Sequence, residues 1–318
     1  MNRVPIAVVG AGQFGQNHMR VLAQSLNAEL RYVVDRDESK ASAAARQYDV
    51  EALTEITALD GKVRAAVVAV PTTAHAEVSC ALLERGIDVL VEKPIAPDLV
   101  AARQIVEAAR QNSRILQVGH LERFNPAVMA LQEAVTTPLF FEIHRLSVFT
   151  PRSLDVDVVL DLMIHDIDIV LALTRKMPEE IRAAGISILS DKVDIANVRL
   201  AFSGGCVANL TASRVSTERV RKVRLFQPHE YISVDYAKQE AFALSVSGAG
   251  QIGFRPLAAG KDEPLRLELE AFVECVDRRT QPKVGGEDAL AALEVAHGIL
   301  AKIEEHAQVV AQALTDGK

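Results

Sequence analysis

A glycine-rich segment between the first apolar run and the first helical pattern constrains the fold most. The run Ile6–Val9 is followed by Gly10–Gly15, which reads GAGQFG, a G-x-G-x-x-G at the point where a strand passes into a helix. The first glycine permits a tight turn, the second lets the backbone approach a pyrophosphate, and the third lets helix and strand pack closely. The helix N-terminus adds donors and positive potential for phosphates. The predicted dinucleotide contacts are Gly10, Gly12, Gln13, Phe14 and Gly15.

A carboxylate and a guanidinium follow the second apolar run, Leu30–Val34. Asp35 stands where an acidic residue accepts hydrogen bonds from the adenine ribose hydroxyls and repels a 2′-phosphate. Arg36 weakens the preference for NAD over NADP, because its guanidinium can bind a 2′-phosphate or stack on adenine. A structural alternative makes the glycines a turn and Asp35 a strand end. Since strand, glycines and helix are in register, we expect Asp35 and Arg36 to contact the cofactor, with NAD favoured over NADP.

Short apolar runs alternate with helical patterns between residues 4 and 119. The runs are continuously apolar, as in parallel strands buried on both faces, and the alternation implies right-handed β-α-β crossovers. We therefore predict an α/β fold whose first domain, residues 1–119, is a doubly wound Rossmann sheet. Besides the two runs above, the predicted strands are Ala65–Val70, Val89–Val91 and Ile115–Val118.

The pattern changes after Gly119. A long, partly alternating run at 140–149 and a hairpin signal at 197–202 and 207–212, around Gly204-Gly205, indicate antiparallel strands. We expect residues 120–318 to form an α+β domain with a large, mainly antiparallel sheet. Its further predicted strands are 223–226 and 231–234, and its late helices are 265–278 and 287–306.

Composition and charge exclude several classes of function. The net charge of −7 argues against a broad nucleic-acid surface, which is normally basic. No apolar run reaches the roughly 18 residues that span a bilayer, so we expect no membrane segment. Cys80, Cys206 and Cys275 are far apart and odd in number, which fits a reduced compartment. Met1-Asn2-Arg3 leads directly into a strand, so we expect no signal peptide and a cytoplasmic protein.

Three further segments, taken with the glycine motif, carry a family resemblance. Val70–His75 (VPTTAH) begins where the run Ala65–Val70 ends, Glu92–Pro94 (EKP) follows the run Val89–Val91, and Asp161–Asp168 reads DLMIHDID. In this order they resemble the glucose-fructose oxidoreductase / inositol dehydrogenase family (Gfo/Idh/MocA) over essentially the whole chain. The resemblance implies a nicotinamide-dependent oxidoreductase with a catalytic Lys93 and a cis proline at Pro94. It also implies a second domain that binds substrate and joins subunits into a homodimer or homotetramer.

Within the family, residues 119–126 (GHLERFNP) and 161–168 look most like the members that oxidise UDP-N-acetylglucosamine at its 3-hydroxyl, towards diamino-sugar lipid A precursors. Many members have glycine where this chain has Met163. The resemblance implies NAD-dependent oxidation of a sugar-nucleotide secondary hydroxyl to the 3-keto sugar. Two alternatives stay open: a family member acting on an inositol or free aldose, and a non-catalytic NAD-binding sensor. Retention of both Lys93 and His165 favours an enzyme.

The loops that follow the runs Ala65–Val70 and Val89–Val91 are expected to line the nicotinamide side of the cofactor. Loops at the carboxyl ends of parallel strands meet at the cofactor. Lys93 would place an ammonium beside the reacting carbon, where it can contact substrate, stabilise an alkoxide or relay a proton. A surface lysine that begins a turn is the structural alternative. The residues predicted to line the nicotinamide are Pro71, Thr72, His75, Glu92 and Lys93.

Ionisable residues interrupt an apolar helical pattern at 156–173. At about 100° per residue, one stripe holds Asp157, Asp161, His165 and Asp168. Such residues on a buried helix are costly unless paired or used. The family motif makes His165 the general base for the substrate hydroxyl, while Asp161 holds a substrate hydroxyl or orients the histidine and Asp168 is structural. A buried His–Asp network is the alternative, and no metal is predicted because a third clear ligand is lacking.

Polar residues after the predicted strand Ile115–Val118 have two interpretations. They contact cofactor or substrate, or they form the entry to a helix that begins at Asn125-Pro126. The residues concerned are His120, Glu122, Arg123 and Asn125. We assign to the substrate Arg123, Asn125, Lys93, Asp161 and His165. Arg145 and Arg152 either face a substrate diphosphate or are isolated surface arginines, and neither is assigned.

Overall fold

The computed structural model describes residues 3–149, 156–246, 250–257 and 260–316. Up to residue 124 the elements are β1 (Val4–Val9), α1 (Gln13–Leu22), β2 (Ala28–Val34), α2 (Glu38–Tyr48), β3 (Glu51–Leu53), β4 (Ala65–Val68), α3 (His75–Glu84), β5 (Asp88–Glu92), α4 (Leu99–Gln111) and β6 (Leu116–Gly119). Beyond it they are α5 (Pro126–Ala134), β7 (Phe140–Val148), α6 (Ile164–Thr174), β8 (Glu180–Ile186), β9 (Ile195–Ala201), β10 (Val207–Ser216), β11 (Val220–Gln227), β12 (Glu230–Asp235), β13 (Glu240–Val246), β14 (Ile252–Leu257), α7 (Pro264–Arg278) and α8 (Gly286–Asp316). None of these described helices combines the length and the hydropathy needed to cross a bilayer.

The first sheet is parallel, in the order β3-β2-β1-β4-β5-β6. Its central strands are rich in valine and alanine and are buried almost end to end, as parallel strands covered on both faces must be. The strand order reverses between β1 and β4, and the carboxyl ends of the strands open a crevice at such a switch point. The predicted doubly wound Rossmann sheet is confirmed. The short β3 is an addition that the sequence patterns did not reveal.

The chain packs into two compact units, Met1–Phe124 with Asp262–Leu290, and Asn125–Lys261 with Ala291–Lys318. Helix α7 belongs to the first unit because its apolar face packs on α1 and β1, with Leu269, Phe272 and Val273 buried in that core. Chain order cannot show that a late helix returns to an early sheet. The units therefore differ from the predicted domains, 1–119 for the cofactor and 120–318 for the substrate and subunit contacts, and this functional division stays a prediction.

The second sheet has the order β14-β13-β12-β11-β7-β10-β9-β8, and among its described strand pairs only β7 with β10 is parallel. The predicted hairpin is present, since β9 and β10 pair antiparallel around Gly204 and Gly205. Burial alternates along β9, so one face of the sheet is packed and the other is more open. The predicted large, mainly antiparallel sheet is confirmed.

Five aromatic side chains from neighbouring strands of the second sheet form an aromatic ladder, namely Phe140, Phe226, Tyr231, Phe242 and Phe254. Successive ring centroids lie 5.8, 5.1, 6.2 and 5.4 Å apart. Phe226 is 38% exposed and Phe254 is 65% exposed. Contiguous exposed apolar surface of this kind marks a contact surface more often than isolated apolar residues do.

Candidate functional site

The glycine loop between β1 and α1 has the shape that a pyrophosphate requires. Gly10 has a φ of +102°, and a Cβ there would lie 2.5 Å from the Ala69 carbonyl oxygen. Apart from Gly12 itself, its chain neighbours and the adjoining helix backbone, no described atom lies within 4 Å of the place a Cβ on Gly12 would take, and no side chain caps α1 at Gly12. Backbone donors at the start of α1 are thus accessible to an anion. The loop fits a dinucleotide, with Gln13 beginning α1 and Phe14 61% exposed beside it.

Asp35, at the end of β2, is tied to the glycine loop. Its Oδ2 accepts a hydrogen bond from the Ala11 N–H at 2.8 Å, and its Oδ1 accepts one from the Asp37 N–H at 2.9 Å. The carboxylate therefore stands beside the loop, where the ribose is expected. Arg36 donates to Glu77 Oε1 at 2.8 Å, and both side chains are largely exposed. Pairing with Glu77 offsets the positive charge of Arg36, which would otherwise favour the 2′-phosphate of NADP.

Asp35→Ala is expected to weaken NAD binding by roughly ten- to hundredfold, the usual loss for hydrogen bonds to a charged group. The preference for NAD over NADP should narrow at the same time, because the carboxylate that repels a 2′-phosphate is gone. Calorimetric titration with each dinucleotide measures both effects. Asp60→Ala removes a mostly exposed aspartate that pairs with Arg85 in the same unit, and it should bind like wild type. An unchanged NAD affinity in Asp35→Ala would remove Asp35 from the ribose site.

The loop after β4 is anchored by a buried histidine. Pro71 precedes a short 3-10 turn, Thr72–Ala74, which leads into α3 at His75. The His75 ring lies between two backbone carbonyls, with Nε2 3.0 Å from Val70 O and Nδ1 3.0 Å from Pro94 O. Burial lowers the pKa of His75, and the carbonyls of Pro94 and Val70 act in the opposite direction without cancelling this effect. His75 thus links the loops after β4 and β5, whereas its predicted contact with the cofactor stays a prediction.

Lys93 follows β5 directly, and the Lys93–Pro94 peptide is cis, as the resemblance implied. Glu92 orders this turn: its Oε2 accepts the Lys93 backbone N–H at 3.2 Å, and its Oε1 lies 2.7 Å from His18 Nε2 on α1. Burial raises the pKa of the Glu92 carboxyl, but the hydrogen bond and charge of His18 and the charge of Lys93 outweigh it and leave the pKa lowered. Glu92 is therefore an ionised anchor for the Lys93 turn.

The residues after β6 adjoin the Lys93 turn. A Cβ on Gly119 would lie 3.0 Å from Glu92 Oε2, so glycine allows the close approach of β5 and β6 here. His120 is buried, and its pKa is lowered to about 3 by burial and then by the charges of Lys93 and Arg123. The His120 ring is therefore neutral near pH 7 and does not supply a positive charge to the site. Arg123 is also buried and donates to the Lys283 carbonyl at 3.4 Å, within the same unit.

In the second unit, the predicted helix at 156–173 is not a single α-helix. A π-helical turn, Val159–Met163, precedes α6, which starts at Ile164. The 100° periodicity does not hold across a π turn, which closes i→i+5 hydrogen bonds and often occurs at functional sites. Asp161 lies in the π turn and His165 in the first turn of α6, and both are partly exposed. This placement leaves both side chains accessible, as a proton acceptor and its partner require.

The π turn is held at its N-terminal side by structural contacts. Asp157 Oδ1 accepts the Val193 N–H at 3.0 Å, and the Val158 N–H donates to the Val193 carbonyl at 2.9 Å. The Arg214 guanidinium donates to the Val156 carbonyl. Asp157, which the sequence placed on the same stripe as the predicted base, is therefore used to fix the backbone.

Arg145 forms a buried ion pair with Asp166 on α6. Its Nε and Nη2 donate to the two carboxylate oxygens, each at 2.8 Å, and the guanidinium carbon lies 5.3 Å from the centre of the Tyr236 ring. The interpretation of Arg145 as a surface arginine is wrong, because the side chain is buried in this pair, whereas a diphosphate contact stays an untested interpretation. Arg152 lies outside the described residues. Asp168 is buried on α6, in keeping with its structural assignment.

Asp166→Asn is expected to lower the free energy of unfolding by about 3–5 kcal/mol, because it removes the carboxylate that balances a buried guanidinium. Glu142→Gln is the matched control, since Glu142 pairs with Arg224 at 2.9 Å but both side chains are partly exposed. The control should cost less than about 1 kcal/mol. Urea unfolding followed by circular dichroism measures both variants, and equal losses would show that the Arg145 pair is not a strong constraint.

Asn125 takes the role of helix entry. Its Oδ1 accepts the Ala127 N–H at 3.1 Å and caps α5, with Pro126 in the first turn, and its Nδ2 donates to the Tyr236 carbonyl at 3.2 Å. Of the two interpretations left open, the geometry favours the structural one, and a substrate contact stays a prediction. His18 was missed by sequence reasoning, because its pairing with Glu92 joins elements 74 positions apart. A histidine on the otherwise packed face of α1 was the available signal.

Similarity to known proteins extends over both units. Residues 4–120 match the family described as "Oxidoreductase family, NAD-binding Rossmann fold", and residues 140–227 match "GFO/IDH/MocA C-terminal domain". The UDP-N-acetylglucosamine 3-dehydrogenase of Acidithiobacillus ferrooxidans is 34% identical over 276 residues, which are 85% of this chain and 87% of the relative. A solved structure of that name from the same organism has a TM-score of 0.90 at 30% identity and covers 96% of this chain and 99% of its own.

A second relative differs in its named substrate. The inositol 2-dehydrogenase of Rhizobium meliloti is 24% identical over 96% of this chain and 98% of its own length. Its name concerns a free cyclitol, whereas that of the Acidithiobacillus relative concerns a nucleotide sugar. The relatives thus agree on oxidation of a polyhydroxylated ring and differ on whether a nucleotide is attached.

Proposed function

Because the chain belongs to the Gfo/Idh/MocA family of NAD-binding oxidoreductases, we propose that it oxidises UDP-N-acetylglucosamine at C3 to the 3-keto sugar. The reaction class rests on the family, on the glycine loop and on the Lys93 turn at the carboxyl end of β5. The choice of substrate is supported by one observation above all: the 34% identity to a UDP-N-acetylglucosamine 3-dehydrogenase across most of both chains.

In the proposed reaction, different side chains stabilise the alkoxide, accept the hydroxyl proton and position the substrate. NAD, when bound, supplies the acceptor for the hydride that leaves the carbinol carbon. Lys93 holds an ammonium that stabilises the alkoxide as the hydroxyl proton leaves, and its backbone is fixed by the Glu92 carboxylate. His165 takes that proton through a ring nitrogen, as a general base must. Asp161 holds a neighbouring substrate hydroxyl or orients His165.

The remaining assignments are proposals that follow from the same reaction. Pro71, Thr72 and Glu92 line the cofactor, and Arg123 contacts the sugar nucleotide. We place the reaction in the cytoplasm, as a step towards diamino-sugar precursors of lipid A. Recovery of the protein with the membrane or periplasmic fraction of lysed cells would contradict this placement.

An inositol or a free aldose is the second candidate, because inositol dehydrogenases are among the relatives. A nucleotide requirement separates the two, since a free cyclitol has no diphosphate to bind. We expect kcat/KM for UDP-N-acetylglucosamine to exceed the values for N-acetylglucosamine, glucose and myo-inositol by at least about a hundredfold. Turnover of a free polyol at equal or greater efficiency would assign the enzyme to the second candidate.

The aromatic ladder supports a homo-oligomer. Rings that are exposed in one copy can be buried against the same surface of a second copy, as in a two-fold dimer. We propose a homodimer or homotetramer that forms through this face. Light scattering gives the mass in solution, and Phe254→Asp should shift it towards the monomer. A wild-type monomer at micromolar concentration would overturn the proposal.

A further inference from the structure

Glu268, on α7, is a fully buried carboxyl group for which the proposed reaction provides no role. Its side chain has 0% relative exposure, and among the described residues no group hydrogen-bonds to either of its carboxyl oxygens. An ionised carboxylate in such a place would lose its hydration without compensation, at a cost of several kcal/mol. A protonated carboxyl avoids most of that cost. The geometry alone therefore favours the neutral form.

The surroundings of Glu268 lead to the Lys93 turn. Gln117, on β6, donates an Nε2 hydrogen to the backbone carbonyl of Glu268 at 3.1 Å. The Gln117 side chain therefore lies against α7. The Gln117 amide oxygen is buried and has no donor among the described groups. The charge of Glu92 is near enough to act on Glu268, and it reinforces the effect of burial, which raises the pKa of Glu268 well above its usual range. Burial and the charge of Glu92 thus act in the same direction, and both keep the proton on Glu268.

The other charged or titratable groups near this position come from the elements that pack on α7. They are His18 and Arg20 on α1, of which Arg20 pairs with Glu263 before α7, and Glu122 and Arg123 in the turn Leu121–Phe124. Strand β1, which also contacts α7, carries no ionisable side chain. Glu92 remains the carboxylate whose charge acts on Glu268.

We propose that Glu268 is a positioning residue: it stays a neutral carboxylic acid, and its neutrality keeps Glu92, and through Glu92 the Lys93 turn, in place. A neutral carboxyl can donate its proton to a neighbouring acceptor, whereas an ionised one can only accept. An ionised Glu268 would repel Glu92, which anchors the Lys93 N–H and the ring of His18. This inference rests on the proposed function in one respect only, namely that the Lys93 turn serves the oxidation of the sugar.

Glu268→Gln tests the proposal, because glutamine keeps the shape of a neutral carboxyl and cannot ionise. The folded protein holds this proton to higher pH than the unfolded chain does, so wild-type stability should fall as pH rises above the ordinary carboxyl range. The ratio of folded to unfolded molecules should drop by up to about tenfold per pH unit until the folded pKa is passed. In Glu268→Gln this loss should be absent. Glu274→Gln, an exposed partner of Arg278 on the same helix, should behave like wild type.

NAD affinity supplies the readout that a merely structural residue would not change. In wild type and Glu274→Gln, the dissociation constant for NAD should rise with pH by up to about tenfold per unit once Glu268 ionises. In Glu268→Gln it should keep its neutral-pH value. Identical pH profiles in all three proteins would overturn the proposal. Neither unfolding nor NAD binding requires the sugar, so failure of the proposed substrate would leave both measurements valid.

Infrared spectroscopy of the wild type keeps the proposal testable if Glu268→Gln does not fold. A protonated carboxyl has a carbonyl stretch well separated from that of a carboxylate. The folded protein in deuterated buffer near neutral pH should show this band, and urea-unfolded protein at the same pH should lack it. Absence of the band from the folded protein would mean that Glu268 is ionised and would refute its neutral role.

Discussion

Lys93→Met is expected to lower kcat for sugar oxidation by about 10³- to 10⁴-fold while leaving NAD binding within about twofold of wild type. Methionine keeps an unbranched stem of similar length but removes the ammonium that stabilises the alkoxide. The backbone N–H that bonds Glu92 is retained, so the turn should keep its conformation. Initial rates of NADH formation, with calorimetric NAD titration alongside, separate the loss of chemistry from a loss of cofactor.

Two further variants are measured beside Lys93→Met. Lys62→Ala removes an exposed lysine of the same unit, whose ammonium lies 5.4 Å from the centre of the Tyr32 ring, and it should retain wild-type kcat. Lys93→Arg keeps the charge but changes its shape, so partial activity is expected. If Lys93→Met retained more than about a tenth of wild-type kcat, charge stabilisation by Lys93 would not be the main contribution of this turn.

His165→Ala is expected to lower kcat by about 10²- to 10⁴-fold, the usual contribution of a general base. A base acts only when unprotonated, so the wild-type rate should fall towards acid pH as the imidazole takes up a proton. In the variant this acid limb should disappear. Added imidazole should restore part of the activity, because it can occupy the space of the missing ring and accept the proton.

His144→Ala, on β7 of the same unit, is the control for the histidine test and should keep both the rate and the acid limb. If His165→Ala retained the wild-type pH profile, another group would be the proton acceptor. In that case His165 would belong to a buried network with the neighbouring aspartates, which was the structural alternative.

The Rossmann half of the fold could be predicted because local sequence determines it. Gly15 is required by its close approach to Gly10 within one strand–turn–helix unit, and the burial of each strand can be inferred from its own run of apolar residues. The return of α7 to this unit could not be predicted, since α7 contacts β1 across most of the chain length and Phe272 joins the core cluster of the first sheet. Periodicity identifies a helix and its apolar face but not the sheet against which that face packs.

The candidate site shows the same division between local and distant information. Lys93, Asp161 and His165 were identified through motifs, and the structure places them directly after β5, in the π turn and in the first turn of α6. The π turn was missed, because a residue count at 100° per position assumes regular α-helix. The roles of His18, Asp166 and Glu268 depend on partners far away in sequence, Glu92, Arg145 and again Glu92. Pairings of buried charges become visible only when the elements are packed.

The most direct test of the proposed function follows the hydrogen that leaves the sugar. UDP-N-acetylglucosamine with deuterium at C3 is incubated with the enzyme, NAD and a trap for the keto product, and the reduced cofactor is analysed by mass spectrometry. We expect the reduced nicotinamide to carry one deuterium and the trapped sugar to be the 3-keto compound. Reduction of NAD without transfer of the label would place the oxidation at another carbon. No reduction at all, with NAD binding confirmed, would contradict UDP-N-acetylglucosamine as the substrate.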